Sequence, residues 1–451
     1  MAKKKQVELT IEEKLKNALV PEKEQPYKIP DNWCWIRLES LSNIINGDRG
    51  KNYPSKKDYV KNGVPFITAG NIEKNNTLNK ENLNYISENK YNMLRSGKIV
   101  KDDILYCLRG TLGKNAIIDF EFKGAIASSL CIIRLLDKIN KKNIYLCLNS
   151  ILIEHQMIEY NNGTAQPNLS AESLKRYKIP LPPINEQQRI VNKIDSLFIK
   201  LNKAKELIEN TLAKFEQNKM AILHKAFTGE LTAKWRKENN IDEGTFFHKI
   251  KLKNIIKLIS GRDVSVNLCN DKSVGIPYIL GASNIRDNKF YVERWIENPV
   301  VVSEKNDILL SVKGTIGKLY LQKEEKINIS RQIMALRALN ELNTHYLYYF
   351  LLKECERLKF EGNGLIPGIS RKDILGLDIV VPTIEEQQEI VNILDKLLAK
   401  YNKIKDLEKQ LEQIELLKKA ILAKAFRGEL GTNNPDEESA EVLLKEILAE
   451  K

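Results

Sequence analysis

The chain has 451 residues, of which 42% are hydrophobic, and this is enough for two or more domains that each bury a core. The six cysteines form no C-x-x-C pair, and the opening MAKKKQVELT lacks the apolar run of a signal peptide, so we expect a reduced cytoplasmic location. No apolar stretch approaches the roughly 18 residues that would cross a bilayer. The net charge of +13 suits a polyanionic partner, although a lysine-rich surface explains it equally well.

The first segment, residues 1–25, is predicted to be helical from Thr10 to Leu19. Thr10 and Glu13 have the spacing of a capping box. This helix could lie beside a second short helix at the other end of the chain, where residues 429–451 end in SAEVLLKEILAEK.

Residues 26–181 form the first predicted domain. Short apolar runs such as VPFITAG and DILYCLRG end in glycine or asparagine and indicate strands, and NIYLCLNSILIEHQMIEY indicates helix. We therefore predict a mixed α/β fold. The turn GTLGK lacks the spacing of a nucleotide-binding phosphate loop, so it is either a structural hairpin turn or a turn that offers Lys114 to a DNA phosphate.

Residues 182–228 are predicted to form one long helix. Proline precedes it, and Ile190, Ile194, Leu197 and Leu201 begin a 4-3 spacing that is typical of a coiled coil. A helix of about 40 residues is ~60 Å long, which exceeds one turn of DNA. Gly229 is placed to end it.

The rest of the chain repeats this plan. Pro182 to Lys203 matches Pro382 to Lys403 at 13 of 22 positions, and Ala221 to Leu231 matches Ala420 to Leu430. Between residues 229 and 381 only short, separate segments match the first domain, and one of them, GTIGK, repeats the glycine turn. We predict a second α/β domain at 229–381 and a second long helix at 382–428 that Gly428 ends.

Two long helices in one chain can pair with each other or with other chains. We favour an antiparallel pair within the chain, because parallel pairing would need a long connection back along the helices. The predicted fold is therefore α/β, with two mixed α/β domains in tandem pseudo-repeat joined by two long antiparallel coiled-coil helices.

The sequence shows no catalytic motif that we can recognise. The four histidines have no metal-ligand spacing, and neither a nucleophile elbow, a glycine-rich AdoMet loop nor an N-P-P-Y motif is present. We expect no enzymatic activity, no metal and no cofactor in this chain.

The sequence resembles the specificity subunits of type I restriction-modification systems. The resemblance rests on IPDNWCWIRL, on the segments KIPLPPINEQQRIV and DIVVPTIEEQQEIV before the long helices, on NDILLSVKGTIGK followed by ISRQIMALR, and on KAF-x-GEL. It covers nearly the whole chain.

The resemblance implies that each domain reads one half of a split, asymmetric site in double-stranded DNA, while helix length sets the gap. It also implies two modification subunits, which would bind AdoMet and methylate adenine N6, and optionally two restriction subunits that use ATP and magnesium. The repeated Glu-Gln-Gln at the start of each helix is a candidate docking surface for the modification subunits: Glu186, Gln187, Gln188, Glu386, Gln387 and Gln388.

Polar side chains that interrupt apolar runs are our candidates for DNA contacts, because groove readout and phosphate binding use such groups. In the first domain they are Arg49, Lys51, Asn71, Arg109, Thr111, Lys114, Ser128, Ser129, Gln166 and Asn168. In the second they are Arg262, Asn284, Lys313, Thr315, Lys318, Arg331 and Gln332.

Two other functions fit less of the sequence. A DNA-binding regulator without an enzyme partner would bind its site tightly alone, and an enzyme with an unrecognised motif would turn over substrate alone.

Overall fold

The computed structural model describes residues 10–161, 167–241, 248–286, 289–339, 341–361, 368–399 and 404–450. The chain divides into two compact units. Unit 1 contains the chain up to Glu206 and from Gln410 onward, and unit 2 is Leu207–Lys409. Each unit therefore combines one α/β region with parts of the long helices.

In chain order, the helices are α1 (Ile11–Ala18), α2 (Leu38–Leu41), α3 (Glu88–Met93), α4 (Lys141–Leu148), α5 (Ile151–Glu159), α6 (Ala171–Lys175), α7 (Ile184–Thr228), α8 (Ala233–Glu238), α9 (Thr344–Glu361), α10 (Arg371–Leu375), α11 (Ile384–Ala399), α12 (Ile404–Phe426) and α13 (Ala440–Glu450).

Most strands are short, as the brief apolar runs predict. Unit 1 holds β1 (Cys34–Arg37), β2 (Ser42–Asn46), β3 (Tyr59–Val60), β4 (Val64–Ile67), β5 (Asn84–Ile86), β6 (Lys98–Ile99), β7 (Ile104–Cys107), β8 (Asn115–Ile117), β9 (Gly124–Ile126), β10 (Leu130–Leu135) and β11 (Lys178–Leu181). Unit 2 holds β12 (Lys249–Lys251), β13 (Ile256–Ser260), β14 (Cys269–Asn270), β15 (Ile276–Ile279), β16 (Ile285–Arg286), β17 (Lys289–Phe290), β18 (Trp295–Ile296), β19 (Val302–Glu304), β20 (Ile308–Ser311), β21 (Leu319–Leu321), β22 (Lys326–Ile329), β23 (Ile333–Ala338) and β24 (Asp378–Val380).

The two units share one sheet topology. The order β2-β10-β7-β8 in unit 1 corresponds to β13-β23-β20-β21 in unit 2. The five-stranded sheets β3-β5-β4-β9-β6 and β14-β18-β15-β22-β19 correspond in the same way, and each contains one parallel pair. The predicted tandem repeat of a mixed α/β domain is confirmed.

An ion pair with a buried carboxylate occupies the same place in both four-stranded sheets. Arg134 reaches Asp103 at 2.8 Å in unit 1, and Arg337 reaches Asp307 at 2.7 Å in unit 2. Both carboxylates are buried. The repeated Asp-Ile-Leu sequence thus supplies an acidic partner for an arginine on the neighbouring strand, and burial of a charge requires such a partner.

The first long helix runs without interruption as α7, and Gly229 follows it at φ +83°. The second is described as α11 and α12, and Gly428 follows at φ +76°. These positive φ angles are those of glycine stops after a helix. Residues 400–403, between α11 and α12, lie outside the described residues.

Within unit 1, the first part of α7 and the last part of α12 run in opposite directions. Lys205 in α7 pairs with Glu415 in α12 at 3.0 Å, whereas Ile190 near the start of α7 shares a hydrophobic core with Phe426 at the end of α12. Within unit 1 the residue numbers therefore rise along α7 as they fall along α12, which fits the predicted antiparallel pairing.

The N-terminal helix α1 packs against α13 within unit 1. Thr10 and Glu13 form the predicted capping box, and Ala18 shares a hydrophobic core with Leu444 and Leu448. The Lys14 ammonium donates to the carbonyl of Leu448. The two ends of the described chain therefore belong to one core.

Candidate nucleic-acid interface

In unit 1, four strand ends meet at one end of the four-stranded sheet. Asn46, where β2 ends, lies opposite Cys131, and Cys107, where β7 ends, lies opposite Leu130. Tyr106 pairs with Asn115, where β8 begins. The loops 47–52, 108–114 and 127–129 leave the sheet at this end, and we call these three segments the loop edge of unit 1.

Unit 2 has the same arrangement. Ser260, at the end of β13, lies opposite Met334, and Ser311, at the end of β20, lies opposite Ile333. β21 begins beside Leu310. The loop edge of unit 2 is therefore formed by segments 261–264, 312–318 and 330–332.

Most of the predicted DNA-contact residues lie on these two loop edges. In unit 1 the exposed ones are Arg49, Lys51, Arg109 and Thr111, with Ser128 and Ser129 half-buried beside them. Asn168 joins them through a β-bridge to Arg109, whose Nε donates to the Asn168 Oδ1 at 3.3 Å. Gln166 lies outside the described residues. In unit 2 the exposed ones are Arg262, Lys313, Thr315, Lys318, Arg331 and Gln332.

The repeated glycine turns differ in what their lysines do. Gly110, Gly113, Gly314 and Gly317 all adopt positive φ, which explains glycine at these positions. The Lys114 ammonium donates to the carbonyl of Ile72 at 3.3 Å, whereas Lys318 is exposed. A phosphate contact therefore suits Lys318 better than Lys114.

Asn71 and Asn284 do not fit the prediction that they contact DNA. Both are buried. The Asn71 Oδ1 accepts from Thr68 and its Nδ2 donates to Asn82, while the Asn284 Oδ1 accepts from Leu280 and its Nδ2 donates to Tyr291. Each amide closes a turn inside its own unit.

Two close-approach glycines show which residues of the two loop edges are equivalent. A Cβ on Gly47 would lie 2.8 Å from the Ala127 carbonyl oxygen, and one on Gly261 would lie 2.1 Å from that of Ser330. These two glycines are therefore equivalent close-approach positions. Arg262 then corresponds to Asp48, and Asp263 corresponds to Arg49, so the two loop edges carry opposite charges at equivalent positions.

Asp48 fixes the segment 47–52 of the loop edge of unit 1 by hydrogen bonds. Its carboxylate accepts from the backbone N–H groups of Arg95 at 2.9 Å and Gly50 at 2.8 Å. These bonds favour the charged form and lower the pKa of Asp48.

We expect Asp48→Asn to reduce the free energy of unfolding most above about pH 5. A carboxyl with a lowered folded-state pKa stabilises the fold above its unfolded value of ~3.9, and this stabilisation is lost as the pH falls through the folded-state pKa. The difference in the free energy of unfolding between wild type and variant should therefore decrease below about pH 4. Urea unfolding followed by circular dichroism measures this difference. Glu121→Gln is the control, because that side chain is 88% exposed. A difference that does not change with pH would contradict this role of Asp48.

The Glu-Gln-Gln sequences at the starts of the long helices form hydrogen bonds within their own units. In unit 2, the buried Glu386 carboxylate accepts from Thr232 and from Arg236, both at 2.6 Å. In unit 1, the buried Glu186 accepts from Trp33 at 2.7 Å and from Asn433 at 2.9 Å. Each glutamate therefore connects, by hydrogen bonds, the start of one long helix with the segment that follows the end of the other long helix.

The glutamines of the same sequences also form hydrogen bonds within their own units. The Gln187 side chain accepts from the Asn140 backbone N–H and donates to the Pro182 carbonyl, and Gln387 bonds in the same way to Asn343 and Pro382. Burial of Glu186, Gln187, Glu386 and Gln387 does not fit the prediction that they dock a partner. Gln188 and Gln388 are exposed, and each side-chain oxygen accepts from the amide of the same asparagine, Asn140 or Asn343.

Five further residues of these sites were not predicted from the sequence: Trp33, Asp48, Thr232, Arg236 and Asp263. Thr232 follows the repeated GEL motif, Asp48 follows Gly47, and Asp263 follows Arg262. These positions beside repeated or candidate residues were the signal by which they could have been found. The pairing of Trp33 with Glu186 joins residues 153 positions apart, and one sequence gives no indication of it.

The described part of the chain contains neither a membrane-spanning helix nor a clustered metal site. No described helix is long and apolar enough to cross a membrane. Among the same residues, no group of three or more His, Cys, Asp or Glu side chains is arranged to hold a metal ion.

Comparison with known proteins agrees with this architecture. A family model described as type I restriction modification DNA specificity domain matches residues 30–212 and 247–415. The EcoKI specificity subunit of Escherichia coli K12 is 26% identical over 463 residues, which cover 94% of this chain and 96% of that protein. The putative MjaX specificity subunit of Methanocaldococcus jannaschii is 25% identical and covers 89% and 95%.

Solved structures show the same fold. A chain from a structural study of complex assembly and conformational transition of the type I R-M system aligns with a TM-score of 0.72 at 22% identity, covering 90% of this chain and all of that one. The HsdS subunit from Thermoanaerobacter tengcongensis aligns with a TM-score of 0.52 at 22% identity, covering 90% and 99%.

The duplicated α/β fold and the matching family model together define the class of protein, a DNA specificity protein with two related domains. The chain belongs to the family of type I restriction-modification DNA specificity subunits.

Proposed function

We propose that each unit reads one half of a bipartite, asymmetric site in double-stranded DNA through its loop edge. The observation that carries this proposal is that two equivalent loop edges present different polar and basic side chains, most of them exposed. Arg109 corresponds to Lys313 and Ser129 corresponds to Gln332, because Leu108 and Val312 donate to the carbonyls of Ser129 and Gln332. Loops on a common scaffold that differ in their donors and acceptors suit the reading of two different base sequences.

The long helices would set the number of base pairs between the halves. Insertion of seven residues after Glu209 in α7 and seven after Lys409 in α12 lengthens both helices by ~10 Å. At 3.4 Å per base pair this should lengthen the gap of the methylated motif by about three base pairs and leave both halves unchanged. The same seven residues appended after Lys451 are the control and should leave the gap as it is. An unchanged gap in the insertion variant would contradict the spacer role.

The chain would act without a catalytic centre of its own. Two modification subunits would bind AdoMet and methylate adenine N6, and two restriction subunits, where present, would use ATP and magnesium. Docking of the modification subunits would use the exposed sides of the long helices, since the repeated Glu186 and Glu386 are buried.

A matched pair of variants tests the reading of the two halves. Arg109→Ala with Thr111→Ala changes the loop edge of unit 1, and Lys313→Ala with Thr315→Ala changes equivalent positions in unit 2. In each case the chain is co-expressed with its modification subunit and N6-methyladenine is mapped across the host DNA. We expect each variant to relax or lose one half of the motif, and a different half for each unit.

The control for this pair is Lys323→Ala, an exposed lysine at the opposite end of the four-stranded sheet, between β21 and β22. It should leave the motif unchanged. Loss of both halves together in either variant, or no change in both, would count against separate reading by the two units.

A further inference from the structure

An aspartate and an arginine on the loop edge of unit 2 form a pair that unit 1 lacks. The Asp263 Oδ1 accepts from the backbone N–H of Arg331 at 3.1 Å, and Oδ2 lies 2.7 Å from the Arg331 Nε. One carboxylate thus contacts both the backbone and the guanidinium of the same arginine. The two contacts restrict the direction in which the arginine extends.

Both partners sit on backbone that is fixed by further hydrogen bonds. On either side of Asp263, the Arg262 N–H donates to the Ile329 carbonyl at 3.0 Å and the Val264 N–H donates to the Tyr278 hydroxyl at 3.2 Å. Beside Arg331, the carbonyl of Gln332 accepts from the N–H of Val312 at 2.8 Å. Arg331 therefore extends from hydrogen-bonded backbone, and its side chain is 68% exposed.

An arginine oriented in this way has the chemistry to recognise guanine. The ion pair is made at Nε, the guanidinium nitrogen nearest the backbone. The two terminal nitrogens carry the donors that can bridge O6 and N7 of guanine in the major groove. We propose that Arg331 reads a guanine in the half-site of unit 2 and that Asp263 is its positioning residue. This inference rests on the proposed function, since it names the base that one loop edge recognises.

The other unit is not built to make this contact. Asp263 corresponds to Arg49, and Arg331 corresponds to Ser128, because Ser129 and Gln332 are equivalent. The two half-sites would therefore differ at the position that this pair reads. An ion pair as exposed as this one contributes little to folding stability, so variants of it should fold normally.

The test uses the complex of the full chain with its modification subunit and DNA that carries the methylated motif of the wild-type complex. Each guanine in the half-site of unit 2 is replaced in turn by 7-deazaguanine, which lacks the N7 acceptor, or by inosine, which keeps N7 and O6. We expect one position at which 7-deazaguanine weakens binding by about tenfold while inosine does not. In Arg331→Ala that sensitivity should disappear.

Asp263→Asn distinguishes positioning from a general effect on the fold. It should weaken binding severalfold in the wild-type background and have no effect on binding in the Arg331→Ala background, with unchanged thermal unfolding in both. A unit 2 half-site without guanine, an Arg331→Ala variant that keeps its 7-deazaguanine sensitivity, or equal Asp263→Asn effects in both backgrounds would overturn the proposal. If the wild-type complex methylates no specific motif, the proposed function fails instead.

Discussion

Arg236→Met should destabilise unit 2 by about 3–5 kcal/mol, because it leaves the Glu386 carboxylate buried without its cation. Arg236 is 5% exposed and Glu386 is fully buried, and the guanidinium also donates to the Gly229 carbonyl at 2.6 Å. Urea unfolding combined with hydrogen exchange of the amides in β13 and β23 measures this loss where it occurs.

The double variant Arg236→Met with Glu386→Leu provides the control. Replacement of both charges by apolar side chains removes the uncompensated carboxylate, so the double variant should regain most of the lost stability. A single variant within about 1 kcal/mol of wild type would show that the carboxylate does not depend on this cation.

Phe426→Ala should destabilise unit 1 by about 3–5 kcal/mol, which is typical of removing a buried phenylalanine. Phe426 lies in the last turn of α12, is fully buried, and belongs to the same hydrophobic core as Trp35, Ile190 and Leu444. The variant leaves a cavity where the end of the long helix meets the α/β part of its own unit. Urea unfolding followed by circular dichroism gives the magnitude.

Leu417→Ala is the matched control on the same helix. Leu417 is 50% exposed, so its truncation should change the free energy of unfolding by less than about 1 kcal/mol. Equal losses in Phe426→Ala and Leu417→Ala would contradict the packing of the helix end into the core of unit 1.

The large-scale organisation could be predicted from the sequence because it rests on periodic and repeated signals. The 4-3 spacing from Ile190 to Leu201 marks α7, and the offset of 200 residues marks the second copy. Glycines at fixed positions mark the turns and helix ends, since only they adopt positive φ without strain. These signals are local or repeat themselves, so one chain is enough to detect them.

The roles of individual polar residues could not be predicted in the same way. Asn71 and Arg109 both interrupt apolar runs, yet one closes a buried turn and the other lies exposed on the loop edge. Whether a polar side chain faces solvent or satisfies buried backbone groups depends on strands that are distant in sequence. Glu186 shows the same limit, since its partners Trp33 and Asn433 come from both ends of the chain.

Repetition of a motif also has two explanations that a sequence does not separate. The Glu-Gln-Gln sequence recurs at both helix starts, which is compatible with one shared partner or with one shared internal contact. In the structure Glu186, Gln187, Glu386 and Gln387 form hydrogen bonds within their own units. The duplicated fold therefore keeps this motif for its own assembly.

We propose above all that this chain selects a split DNA sequence for methylation by a partner. The most direct measurement is single-molecule sequencing of host DNA after co-expression of the chain with the modification subunit of its operon, beside the modification subunit alone. We expect N6-methyladenine in both halves of one asymmetric split motif, and only when the chain is present. Methylation that does not depend on the chain, or none from an active modification subunit, would contradict this account and favour a DNA-binding regulator.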